Sequence, residues 1–467
     1  MKLEDRHLRV MELIDQDRND EAMQIVLDML DEDHDNSGAL FQLSALLLDQ
    51  GKRGLAYNVL ARGCKLSPEI PEMWLNYGRS HNDGPSEWSR SEWCFRKAIK
   101  LGEKKGKPFP IAWASLATLS NEQCKYQDAL KYADKALEID PNYRNAKIAK
   151  GFTYLALGQW DAAWPFWRLL LDTQRREQYG YGDTTEWQGE PRRRVIVSGE
   201  QGIGDEIMYA SIFSEVIRDS QEVTIDCMPR LQNLFQRSFP DAMFTGTRWD
   251  KKLEWPAGRE LPECHVAMAT LPQFYRHADS DFSGAPYLTP DPDMVNAAKG
   301  VLSALGERPK VGIAWTGGTS RTRSHLRTRT LEELLPILRQ DCTWVSLEYN
   351  NRDEEIAEFR EKRGIDIHTF HWMTEKGLDY DLTAALVSQL DLLITVPTTV
   401  SQMAGALGIE CWVLVPRYTG WIFARETYPW ASSVVPMRNP PIMQVAERLQ
   451  KWLSTRTQTS SYLSLAG

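Results

Sequence analysis

The stretch VIVSGEQGIGDEIMYASIF, Val195 to Phe213, decides how the chain is read. A run of β-branched residues, Val195-Ile196-Val197, halts at Ser198-Gly199. It crosses a loop carrying Gly202 and Gly204 and resumes at Asp205 with apolar residues at helical spacing. A strand that passes through a glycine-bearing loop into a helix is the elementary step of a parallel α/β sheet, and ligands bind in the crevice beyond such strand ends. Glycines at 202 and 204 suit a tight turn and a close approach to the backbone. Asp205, at the helix start, suits either a helix cap or a group facing the crevice.

Toward the C-terminus the same grammar continues. Strand candidates are Arg194–Ser198, Val223–Cys227, His265–Met268, Lys310–Trp315, Thr343–Leu347, Leu392–Val396 and Cys411–Val415, most of them separated by helix-like segments. Such alternation implies βαβ units and parallel sheets. The turn-rich stretch SGAPYLTPDPD divides them into two Rossmann-like lobes with a cleft between.

Two further turns resemble the opening one in layout. GIAWTGGTSRTRSHLRTRT, 312–330, follows a strand and carries Gly317, Gly318, Arg321, Arg323, Arg327 and Arg329. LLITVPTTVSQMAGALG, 392–408, runs from a buried strand through Pro397 into a helix that opens on Thr398 and Thr399, with Ala404, Gly405 and Ala406 behind them. A helix start offers unpaired N–H groups and partial positive charge, and two hydroxyls add donors, so this turn suits a diphosphate. Plain capping by Thr398 is the alternative. The basic loop would compensate phosphate charge without a metal, and its alternative is a solvated loop.

Neither GxxxxGK[ST] nor GxGxxG is present, which disfavours nucleotide triphosphatases and dehydrogenases. The triplets Asp291-Pro292-Asp293 and Asp379-Tyr380-Asp381 have a spacing that carries divalent cations elsewhere, but beside prolines and at a helix start they read as turn and cap residues. No metal site is expected.

Upstream, from about residue 10 to 172, the spacing is helical and repeats. Leu40 and Trp74, Ser44 and Gly78, Ala117 and Gly151, Tyr126 and Trp160, and Ala129 and Ala163 are each 34 residues apart. A bulky residue, a small one, then Ala, then Pro at this period resembles the tetratricopeptide repeat, clearest in AWASLATLSNEQCKYQDALKYADKALEIDPNY. Copies begin near Ser37, Pro71, Pro110 and Arg144, after a half-copy in NDEAMQIVLDML. Small residues let paired helices approach, and the array commonly binds peptide or serves as a docking spacer.

The totals set limits. A chain of 467 residues with 42% hydrophobic and 25% charged residues is an ordinary globular protein of two or three domains. A net charge of −9 gives no general attraction to nucleic acid or anionic membranes, so nucleic acid is not the expected partner. Seven scattered cysteines without CxxC, a charged start and the lack of a long apolar run point to a reduced, cytoplasmic setting without membrane contact.

Taken in order, the repeats and then EWQGE, EQGIGDEIMYA, VGIAWTGG, WVSLEYN, LDLLITVPTTVSQMAGALG and YPWASSV resemble a known family along nearly the whole chain. These are the bacterial and phage tetratricopeptide-repeat proteins with a C-terminal glycosyltransferase domain of the GT-B type. That domain is similar to the ADP-heptose transferases and, more distantly, to repeat-bearing O-GlcNAc transferases.

The resemblance implies an α + α/β chain: a repeat solenoid over 1–172, a linker over 173–192, an acceptor lobe over 193–298, a donor lobe over 299–453 and a flexible tail over 454–467. It implies an inverting transfer, without metal or resident cofactor, from a nucleoside-diphosphate sugar to a hydroxyl of a macromolecule. A protein gripped by the repeats is the expected acceptor, with a modified nucleobase or a glycan as alternatives. Asp205 would be the general base, with Gln201, Gly202 and Gly204 on the acceptor side. Thr398, Thr399, Gln402 and Gly405 would meet the donor together with Trp315, Gly317, Gly318 and Arg327, and Glu348 would lie near the nucleoside.

The chain also departs from the family pattern. Many members have His where Gln402 stands, often Asp at Pro397 and Tyr at Ala431, and the late arginine-glutamine pair is Arg438-Asn439 here. A scaffold that has lost turnover, or a repeat adaptor joined to an unrelated α/β domain, are therefore the competing readings.

Overall fold

A computed structural model describes residues 3–81, 84–171, 176, 181–247, 260–318, 324–375 and 377–465. Arg321, Arg323 and much of the expected linker lie outside them. The chain divides into two compact units, Met1–Thr153 and Tyr154–Gly467.

The first unit is helical: α1 (Leu3–Asp15), α2 (Asn19–Glu32), α3 (Ser37–Asp49), α4 (Arg53–Leu66), α5 (Pro71–Ser80), α6 (Trp88–Lys104), α7 (Pro110–Glu122), α8 (Tyr126–Ile139) and the start of α9 (Arg144–Leu157). Consecutive helices pack in pairs, α1 on α2 through α7 on α8, as tetratricopeptide-like repeats require. The boundaries follow from local chemistry. Asn36 accepts from Ala39 N–H at 3.0 Å to cap α3, and Pro71 and Pro110 occupy first-turn positions where no N–H is needed. Small residues set the pair spacing: Ala114, Ala117, Ala133 and Ala136 are buried in one cluster. A Cβ added at Gly78 would lie 2.5 Å from the Phe95 ring.

The expected end of the repeats at residue 172 and the boundary between units differ. α10 (Trp160–Trp167) belongs to the second unit, where its indoles donate to Asp279 Oδ1 at 2.8 Å, to Arg276 O at 2.6 Å and to Ala269 O at 3.0 Å. Trp160, Trp164 and Trp167 fall on one face at helical spacing, and that face packs on the short helix Pro272–Tyr275, α14 in chain order.

The second unit holds two parallel sheets. The first contains β1 (Thr185–Glu186), β2 (Arg194–Ser198), β3 (Glu222–Asp226), β4 (Met243–Thr245) and β5 (Cys264–Ala267), in the order β1-β5-β2-β3-β4. Its helices include α11 (Ile203–Tyr209), α12 (Phe213–Asp219) and α13 (Gln232–Ser238). The second contains β6 (Lys310–Ala314), β7 (Thr343–Ser346), β8 (Ile367–His368), β9 (Leu392–Thr395), β10 (Cys411–Val415) and β11 (Val434–Arg438), in the order β11-β10-β9-β6-β7-β8. Its helices are α15 (Pro292–Ser303), α16 (Leu335–Leu338), α17 (Asp353–Arg363), α18 (His371–Thr374), α19 (Tyr380–Ser388), α20 (Thr399–Leu407) and α21 (Ile442–Leu465). The architecture is thus helical repeats followed by α/β.

Both sheets wind the same way: a central strand, two outward on one side, then a return to the other side of the first. The reversal falls between β2 and β5 in one sheet and between β6 and β9 in the other. Sheet rules place ligands at those two points. The seven expected strands are present within a residue at either end. β1, β4 and β8 escaped notice because two or three residues show no alternation, and β11 because Pro436 reads as a strand breaker, which an edge position tolerates. The helix α21 runs into the segment expected as a flexible tail; no Gly or Pro between Gln444 and Leu465 stops it.

Candidate functional site

The loop after β2 and the loop after β9 meet. A Cβ added at Gly204 would lie 3.2 Å from Thr399 Oγ1 and 3.4 Å from Thr399 Cα, so the start of α11 touches the start of α20 across the two sheets. Gly204 is small for this contact. The left-handed residue of the loop is Gln201, with φ 61°, and Gly202 is extended with φ −95°. The expectation that both glycines serve the turn is corrected accordingly.

Asp205 is partly buried at the third position of α11 and is not the N-cap residue, which is Gly202. Its Oδ2 accepts from Gly202 N–H at 3.0 Å. That bond aims the carboxylate back toward the loop, at the same end of the helix that touches Thr399.

On the other side, Thr398 has extended backbone angles, φ −144° and ψ 174°, and opens α20 without a side-chain bond to the helix amides. Its hydroxyl lies 3.3 Å from Thr395 Oγ1, and its carbonyl accepts from Ser401. Capping by the Thr398 side chain is therefore not what this residue does. The first amides of α20 keep their partial positive charge at the place where Gly204 and Asp205 arrive.

The loop after β6 packs beside this turn. A Cβ at Gly317 would meet Val396 Cγ2 at 3.2 Å and Pro397 O at 3.4 Å, and Gly318 is left-handed at φ 74°. Arg327 Nη1 donates to Pro397 O at 3.3 Å, which places a cation next to the α20 start, and burial lowers its pKa from the usual guanidinium value.

Three of the expected donor-side residues make framework contacts. The Trp315 side chain is fully enclosed and its indole donates to Glu355 Oε1 at 3.1 Å. Its amide and that of Thr316 each donate to Glu348 Oε1 at 2.7 Å, and the Thr316 hydroxyl donates to Glu348 Oε2. Glu348 therefore clamps the loop from beneath; burial, opposed by those bonds, raises its pKa above the usual carboxylate value. A Cβ at Gly405 would lie 2.7 Å from Ala431 Cβ, so Gly405 and Ala431 are small together and let α20 pack against the segment before β11.

Gln402 points inward, where Tyr428 donates its hydroxyl to Gln402 Oε1. Tyr428 and Gln402 are 26 residues apart, and no local spacing links them. A second interlobe contact also lay beyond sequence reasoning. From α13, Arg237 donates to Asp381 Oδ2 at 2.5 Å and to Asp291 Oδ2 at 3.0 Å, and Asn233 donates to Asp379 Oδ2 at 2.6 Å. Asp291 also caps α15, and Asp379 caps α19. Both DxD triplets thus act as caps and as an ionic fastening between the two sheet regions.

Among the described residues no group of three or more His, Cys, Asp or Glu stands ready for a metal, and no helix is long and apolar enough to cross a membrane.

No family model matches the chain. It is 29% identical over 323 residues to Protein FlbA of Caulobacter vibrioides (strain ATCC 19089 / CIP 103742 / CB 15), a match covering 62% of this chain and 51% of that protein. The chain thus spans about half the length of the curated relative it matches. Among solved structures, PilW, a type IV pilus biogenesis factor, is 20% identical with a TM-score of 0.32 and covers 35% of this chain and 74% of its own. TTC0263, a thermophilic TPR protein of Thermus thermophilus, is 15% identical with a TM-score of 0.32 and covers 36% of this chain and 89% of its own.

Proposed function

We propose that the second unit is a GT-B-type inverting glycosyltransferase that takes a sugar from a nucleoside-diphosphate donor without a metal ion. One observation carries the reading: at the two switch points, a carboxylate-bearing helix start and an uncapped helix start converge, Asp205 beside Gly204 and Gly204 against Thr399. The α20 amides, the Thr398 and Thr399 hydroxyls and Arg327 suit a diphosphate leaving group. Asp205 suits the removal of the acceptor proton as the hydroxyl attacks the anomeric carbon. The repeats supply a surface of the kind that grips polypeptide, so a protein is the proposed acceptor.

Calorimetry against UDP-, GDP-, ADP- and CMP-sugars, with product analysis, tests this. Binding with slow hydrolysis is expected. Asp205→Asn is expected to keep the binding and lose the turnover. A protein that binds none of the panel overturns the reading. Binding without turnover in the unaltered protein supports a second reading, a repeat-bearing scaffold, which the Tyr428–Gln402 tie favours because it engages the amide oxygen where many relatives of the resembled family carry a His.

A further inference from the structure

Three tyrosines gather around α11 and α20: Tyr209 and Tyr428 are buried, and Tyr287 is half-buried. Tyr287 donates its hydroxyl to Ile207 O at 2.7 Å, and Tyr428 donates to Gln402. The third, Tyr209, is 1% exposed, and its hydroxyl has no hydrogen-bond partner among the described residues. Its ring is held by Trp430, edge to face with centroids 5.5 Å apart. A buried hydroxyl left unmatched costs stability, whereas phenylalanine would fill the same space without that cost.

Tyr209 lies one helical turn after Asp205. Long helical side chains lean back over the preceding turn, so positions four apart face each other and the Tyr209 ring runs toward the Asp205 level. Among the described residues, the other charged groups that bear on Tyr209 are Arg176 and Glu200, and these are spent on each other. Arg176 Nε donates to Glu200 Oε2 at 2.7 Å and Nη2 to Oε1 at 2.6 Å, both side chains fully enclosed. Tyr428 also bears on Asp205 and Tyr209, but its proton is committed to Gln402.

We propose that Tyr209 is the positioning residue for Asp205, its hydroxyl donating to the carboxylate when the crevice is occupied. Gly202 N–H and the Tyr209 hydroxyl then both donate to the carboxylate, which fixes its plane toward an incoming hydroxyl. The catalytic half of this assignment rests on the glycosyltransferase reading; the Tyr209–Asp205 bond does not.

The test uses full-length protein carrying ¹³C-labelled aspartate, with UDP present at saturation if it binds. The Asp205 carboxyl resonance is assigned through Asp205→Asn and titrated in the unaltered protein and in Tyr209→Phe. Loss of a donor to the charged form is expected to raise the Asp205 midpoint by about one pH unit, with thermal stability unchanged or higher. If turnover is found, the acid limb of its pH profile is expected to move upward by the same amount. An Asp205 midpoint that stays in place with the nucleotide bound overturns the proposal, whether or not any donor is turned over, and so does a crevice that takes up none of UDP, GDP, ADP or CMP. Should Tyr209→Phe fold poorly, 3-fluorotyrosine at 209, a stronger donor of the same shape, is expected to lower the midpoint; no shift there overturns it equally.

Discussion

Thr398 is an N-cap by backbone and not by side chain, and the distinction has measurable consequences. A capping threonine replaced by alanine typically costs about 1 kcal/mol. Since the Thr398 hydroxyl meets Thr395 Oγ1 and no helix amide, Thr398→Ala is expected to change stability by less than about 0.5 kcal/mol. Binding of a nucleoside diphosphate should nevertheless weaken about tenfold, the loss of one hydrogen bond to a charged group. Chemical denaturation and calorimetry on the same sample check both halves. The places of Asp205 and Thr398 at helix starts were legible in the sequence because turn chemistry is local: a strand end and a helix start lie within a few positions. The roles of Trp315, Glu348 and Gly405 were not, since each depends on what packs against it from 26 to 40 residues away. The same distance hid Tyr428.

At the scale of elements, fit is set by pairs of small residues and by fastenings between helices. Gly405→Ala would push a methyl to 2.7 Å from Ala431 Cβ, and both atoms sit on backbone-fixed positions. Overpacking of this kind is expected to cost about 1–3 kcal/mol, read as a lower denaturation midpoint. The turn that holds α14 gives a pH-dependent case. His277 Nδ1 lies 2.6 Å from Asp161 Oδ1 of α10, and that hydrogen bond raises the His277 pKa above the usual imidazole value. A raised folded-state pKa means the contribution is fully present below the unfolded value near 6.5 and is lost as pH rises through the folded one. Both groups are half or more exposed, so solvent screening holds the contribution to under about 1 kcal/mol. Melting curves of His277→Gln and the unaltered protein should therefore differ at pH 5.5 and converge by pH 8.5.

For the whole molecule, the division at Thr153 and Tyr154 makes the sharpest claim, because the repeat period read through 163 would set the boundary later. Periodicity reports how a segment was copied, whereas burial reports what it now packs against. Trp160, Trp164 and Trp167 keep the repeat's helical spacing, yet all three are buried and donate to Asp279, Arg276 and Ala269 of the second unit. Removing residues 1–153 should leave a chain that unfolds cooperatively with nearly the midpoint of the second unit in the intact protein. Removing residues 1–172 takes α10 as well. Truncating a single buried tryptophan costs about 3–5 kcal/mol, and a domain's whole stability is about 5–15 kcal/mol, so losing three together should leave no cooperative transition. Calorimetric scans of the two shortened chains decide the matter. Equal, cooperative unfolding of both would return α10 to the repeats and move the boundary to residue 172.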